Sequence, residues 1–135
     1  MNLKCVMVVD NQLPVGVISN TVAILGCALG KRHPEINGED LKNKNAQDFP
    51  GLIKVPVPVL EAGAAQLRDL KEKIEADESL EVISFTDAAQ QSPTYEDYRQ
   101  KLANETDQEL TFLGICVFGK TKRVNHYTGN LPTLK

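Results

Sequence analysis

Asp87 and Thr111 stand at the borders of two apolar runs, LEVISF and LTFLGICVFG, and Asp10 and Asn11 follow a third, CVMVV. A carboxylate just past the carboxyl end of a strand can orient or deprotonate a water molecule, and a hydroxyl beside it can donate to a developing oxyanion. Behind Asp10 the chain turns through Pro14 and Gly16 into an apolar helix, and the N-terminus of such a helix suits an anionic or carbonyl ligand. Asp10, Asn11, Gly16, Val17, Ser19 and Asn20 are therefore the candidate ligand residues, and Asp87 and Thr111 stand where a reaction would be placed. The same two residues also suit a purely structural role, Asp87 capping a turn and Thr111 bonding across the mouth of a sheet.

Other chemistries lack their signatures. Cys5, Cys27 and Cys116 all sit inside apolar segments, and an odd number without CxxC spacing suits core thiols better than a disulfide framework or a zinc site. His33 and His126 belong to no metal-ligand spacing, and GxSxG, GxxxxGK[ST] and GxGxxG are absent. No metal and no cofactor is implied. A net charge of −3 with 5% aromatic residues does not suit a nucleic-acid binder. The chain starts as a strand rather than a signal peptide, and no apolar run reaches transmembrane length, which points to a cytoplasmic protein with no membrane partner.

The elements that position these residues follow from hydrophobic period. Residues 5–9 read as a strand buried on both faces. Ile18, Val22, Leu25 and Leu29 then step along one helical face, with Ser19 or Asn20 as cap or a start nearer Gly16, and with Gly30 as the residue that ends the helix. Residues 31–51 are polar and aperiodic, a long connection that suits a short helical turn, a lid or a contact loop. Residues 52–60, LIKVPVPVL, have strand composition, but Pro56 and Pro58 cannot donate to a ladder, which predicts an edge strand with its proline side toward solvent. A helix is expected over 61–76, a strand over 80–85, a helix after Thr94 with Asp97 completing a capping box, a central strand over 110–119 and a short last helix. The 135 residues suit one α/β domain, a three-layer α/β/α sandwich on a small mixed sheet whose first three strands run parallel. If the last strand runs antiparallel between the first and third, the sheet is four-stranded with the order 2-1-4-3. In that topology Asp10, Asp87 and Thr111 converge at one sheet edge.

The run KCVMVVDNQLPVGVISNTVAILGCAL resembles the opening of the peptidyl-tRNA hydrolase II family without a gap. SFTDAA, TFLGI and YTGNLPTL resemble later motifs of that family in the same order, and the chain is more similar still to an uncharacterised bacterial family assigned the same fold. The resemblance implies that antiparallel placement of the last strand in a four-stranded mixed sheet. It also implies a hydrolase of the ester between peptide and tRNA, with the family's aspartate on Asp87 and its threonine on Thr111 as the candidate catalytic pair. Its lysine falls on Val17, and its glutamine and histidine on Ala23 and Gly26. A branched apolar side chain can neither hold a phosphate nor polarise a carbonyl. Two readings follow: an ester hydrolase with an altered site, or a non-catalytic module that binds a small molecule or regulates on the same fold. The resemblance alone implies a homodimer and tRNA as a partner, the latter disfavoured by the acidic balance.

Overall fold

The computed structural model describes residues 2–135. Strand β1 (Leu3–Asp10) leads through a polar turn into helix α1 (Val15–Arg32), after which a 3-10 turn (Pro34–Ile36) and two short strands, β2 (Leu41–Lys42) and β3 (Asp48–Phe49), occupy the long connection. Then follow β4 (Val59–Ala62), α2 (Ala64–Glu75), β5 (Glu81–Thr86), α3 (Asp87–Gln90), α4 (Tyr95–Asn104), β6 (Phe112–Lys120) and α5 (Thr121–Thr128). This is a mixed α/β fold. Its main sheet has the order β4-β1-β6-β5, with β1 parallel to β4 and β6 antiparallel to both β1 and β5. A separate hairpin joins β2 and β3.

The period-two alternation of the central strands sends their side chains to opposite faces. Cys5, Met7, Phe85, Cys116 and Phe118 pack with Leu25 and Leu29 of α1. Val6, Val8, Ile115 and Val117 pack on the other side with Leu67, Leu70 and Ile74 of α2 and Val124 of α5. α1 lies so close to the sheet that a Cβ added to Gly114 would stand 2.6 Å from Thr21 Cγ2, so glycine is required there by space.

Several local expectations need correction. Of the two starts expected for α1, the one nearer Gly16 is found: the helix begins at Val15 with Pro14 at the N-cap and no side-chain cap, because Pro14 already fixes the entry dihedral. Ser19 and Asn20 are therefore interior positions, and the Ser19 hydroxyl donates to the Val15 carbonyl (2.9 Å). The helix also passes through Gly30 and ends at Arg32, with the His33 N–H donating to Leu29 O. Only Val59–Ala62 of the proline-bearing segment is regular strand, although Cys5 and Met7 donate to the carbonyls of Pro56 and Pro58 (3.2 and 3.0 Å). Its outer side does not wholly face solvent: Glu61 N–H donates to Pro132 O and Leu134 N–H to Val59 O, so the C-terminal residues cover it. Thr94 does cap α4 by accepting from Asp97 N–H (3.1 Å), but the reciprocal bond of a capping box forms instead between Thr106 and Glu109.

Candidate functional site

Strand direction places the end of β1, the end of β5, the start of β6 and the N-terminus of α1 at one edge of the sheet. Thr86, the last residue of β5, pairs with Phe112 after a bulge between Phe85 and Thr86, which shifts the register where the two strands meet the edge. Beyond it Asp87 and Thr111 are joined twice. The Asp87 N–H donates to Thr111 O (3.0 Å), and the Thr111 N–H donates to Asp87 Oδ1 (3.0 Å). Asp87 Oδ1 also accepts from the Ala88 N–H (3.0 Å). One carboxylate oxygen is thus fixed by two backbone donors, and Oδ2 accepts no hydrogen bond from the described residues. The Thr111 side chain is exposed and Asp87 half-buried.

The other candidate residues divide into turn formers and open positions. Asp10 is buried, at 6% exposure, and its Oδ1 accepts from the Gln12 N–H (3.0 Å), so its charge is spent on shaping the turn. The Asn11 N–H donates to Ala62 O (3.0 Å) and its side chain accepts from Gln12. Gly16 is exposed and a Cβ built on it meets nothing within 4 Å, so the backbone at the start of α1 is open. The N–H groups of Val15 and Gly16 have no partner among the described residues, as expected for the first turn of a helix, and no acidic residue occupies that turn. Ser19 and Asn20 are exposed on the helix surface. Val17 is half-buried against the α1-side core, so its side chain is taken up by packing.

Thr86 was readable in the sequence only as a polar neighbour of Asp87. It is 5% exposed and its Oγ1 has no hydrogen-bond partner among the described residues. A buried hydroxyl left unpaired costs about 1–3 kcal/mol, and such groups are uncommon enough in folded proteins to require a reason.

The cations nearest this edge are already paired, and Arg68 donates to Leu110 O, next to Thr111. Arg68 and Lys71 on α2 both bind the Asp107 carboxylate, at 3.1 and 2.7 Å, and both lie over the Phe112 ring. Lys71 is held above the ordinary lysine range: burial pulls it down, but its bonds to Asp107 and Glu75 outweigh burial. Asp107 is correspondingly lowered, first by its bond to Lys71. The KTKR run starts α5 at the far end of β6, where Arg123 binds Asp77. No group of three or more His, Cys, Asp or Glu suited to a metal ion occurs among the described residues. No helix of the structure is long and apolar enough to cross a membrane.

The edge therefore offers an anchored carboxylate, a free hydroxyl and open helix amides, and its nearest positive side chains, Arg68 and Lys71, are bound to Asp107. Such a set can hold a molecule that presents both a donor and a carbonyl or carboxylate.

The fold recurs in a solved structure of a protein of unknown function from Agrobacterium tumefaciens strain C58, which shares 17% identity over 98% of each chain with a TM-score of 0.87. No curated protein matches. A family model matches residues 3–135, and the chain belongs to that family, described as protein of unknown function DUF2000.

Proposed function

We propose that this chain is a small-molecule-binding protein on a peptidyl-tRNA hydrolase II-like three-layer sandwich, of order 2-1-4-3 when the hairpin strands are left out, which has kept the polar edge of a hydrolase and lost the cation. The observation that carries this reading is the packing of Val17 into the apolar cluster beside α1, where the resembled family has a lysine. Removing one well-placed electrostatic stabiliser of an oxyanion costs about a hundredfold to a thousandfold in rate, and the bound cations Arg68 and Lys71 cannot replace it while they hold Asp107. The ligand class follows from the groups present. Asp87 Oδ2 takes an N–H or O–H, and the Val15 and Gly16 amides at the positive end of the α1 dipole take a carboxylate or carbonyl oxygen.

Amide chemical shifts followed during titration with free amino acids and N-acetylated amino acids test this. Saturable shifts at Val15, Gly16, Asp87 and Thr111 that vanish in Asp87→Ala support the proposal. Shifts that are absent, or that persist unchanged in the variant, remove it.

A second reading, ester hydrolysis without the lysine, is favoured by one observation. Asp87 Oδ2 is free while Oδ1 is anchored, the arrangement a general base or water-orienting group needs.

A further inference from the structure

Residues 105–111 run from α4 to β6 with exposed or half-buried side chains, yet two cations of α2 grip this segment. Arg68 Nη1 donates to Asp107 Oδ2 and Nη2 to Asp107 O (both 3.1 Å), Nη2 donates again to Leu110 O, and the guanidinium lies over the Phe112 ring, 4.9 Å from its centroid. Lys71 donates to Asp107 Oδ1 (2.7 Å) and lies 4.4 Å from the same ring centroid. Thr111 stands between Leu110 and Phe112, and Arg68 touches both neighbours. The 3-10 turn Asp107–Glu109 is closed separately by the capping box of Thr106 and Glu109, so the turn has its own support.

One of these bonds bears directly on Asp87. The Leu110 carbonyl and the Thr111 N–H belong to a single peptide group, which is planar and trans, so its oxygen and its hydrogen point in opposite directions. At one end the oxygen accepts from Arg68, and at the other the N–H donates to Asp87 Oδ1 (3.0 Å). A line of hydrogen bonds thus runs from a cation, through one rigid peptide group, to a carboxylate. The guanidinium fixes the plane of that group and hence the direction of its N–H. It also draws charge toward the oxygen, which strengthens the donor at the far end. Neither Lys71 nor the Asp107 side chain bonds to this peptide group.

We propose that Arg68 is a positioning residue for the polar edge: through the peptide group of residues 110–111 it aims the Thr111 N–H at Asp87 Oδ1, and so holds the carboxylate that presents Oδ2 to a ligand. The use of Oδ2 rests on the binding reading above, whereas the aiming of the N–H does not. In this arrangement a cation acts on the edge without touching the ligand. Lysine does not serve in its place, because the rigid fork of a guanidinium meets the Asp107 carboxylate and both carbonyls together, while an ammonium is a point charge on a flexible stem.

Hydrogen exchange and the amide proton shift of Thr111, followed by NMR in the unliganded wild type, Arg68→Lys and Asp107→Asn, test this. Both substitutions are at partly exposed side chains, 31% and 41%, and both weaken the ion pair, but only Arg68→Lys takes the donor from Leu110 O. The Thr111 N–H should exchange about tenfold faster in Arg68→Lys, the scale of one lost hydrogen bond to a charged group, with its proton shifted to higher field, and should keep its wild-type values in Asp107→Asn. Exchange that is unchanged in Arg68→Lys, or that rises equally in Asp107→Asn, overturns the proposal. A failure of the binding reading shows instead as absent ligand shifts in the wild type, so the two are told apart.

Discussion

Asp87 uses the two oxygens of its side chain differently: Oδ1 closes the junction between β5 and β6, and Oδ2 accepts no hydrogen bond from the described residues. Asp87→Asn keeps an acceptor at Oδ1, so its stability should change by less than about 1.5 kcal/mol, while Asp87→Ala frees two backbone donors and should cost about 2 kcal/mol or more in urea denaturation. Thr86→Val is expected to stabilise the unliganded protein by about 1 kcal/mol, because it replaces an unpaired buried hydroxyl with a methyl of the same shape. A destabilised variant would show that the hydroxyl is bonded in solution. The thiols offer a further check. Cys5 and Cys116 are buried with their sulfurs 3.3 Å apart, and the bond to Cys5 together with burial pushes the Cys116 thiol far up. Cys27 is exposed. One thiol should therefore react with a maleimide in native protein at neutral pH, and the other two only on unfolding. That Asp87 and Thr111 share an edge followed only once the last strand was placed antiparallel between the first and third, a placement that the resemblance implies and that hydrophobic period and crossover handedness leave open. The isolation of the Thr86 hydroxyl was not legible, since it depends on a one-residue bulge that leaves no mark on hydrophobic period.

The junction between α1 and the sheet rests on Gly114. Gly114→Ala puts a methyl against Thr21 Cγ2, Val8 O and Val9 Cγ1, and because Thr21 is buried and bonded to Val17 O, the helix itself has to move. The expected cost is about 1–3 kcal/mol in thermal or urea denaturation; an unchanged midpoint would mean that α1 is not held at this distance. The strands and long helices were legible because each buries a periodic apolar face. The β2–β3 hairpin was not: two-residue strands have no period, and what fixes them is Asn43 bonding its own turn and two glycines in backbone contact. The Ser19 or Asn20 cap and the stop at Gly30 failed for a related reason, while the alternative start nearer Gly16 agrees with Val15. A proline at the N-cap replaces a capping side chain, and a glycine can remain inside a helix whose last turn is held by the bond from His33 to Leu29.

At the scale of the molecule, ion pairs tie the connections on the α2 side to the body. Asp77, just after α2, is held well below the usual carboxylate range by bonds from Ser79, Arg123 and Tyr127, and Asp107 is lowered by Lys71 and Arg68. A carboxylate whose folded pKa is depressed stabilises the folded state above its unfolded value and loses that contribution as pH falls through the folded one. Melting temperature should therefore drop as pH is lowered from about 5 toward 2, and Asp77→Asn should flatten the slope; an equal slope in the variant would contradict the assignment. The Asp77 pair lies at the far end of the sheet, whereas Arg68 and Lys71 stand beside the polar edge, Arg68 donating to Leu110 O, and both are held by Asp107; on the proposed reading this edge lacks a free cation for ester cleavage. Hydrolysis of peptidyl-tRNA by purified wild type, Asp87→Asn and Val17→Lys tests that claim most directly. Silence in the wild type with hydrolysis gained in Val17→Lys is the expected result, and wild-type turnover that disappears in Asp87→Asn would contradict it.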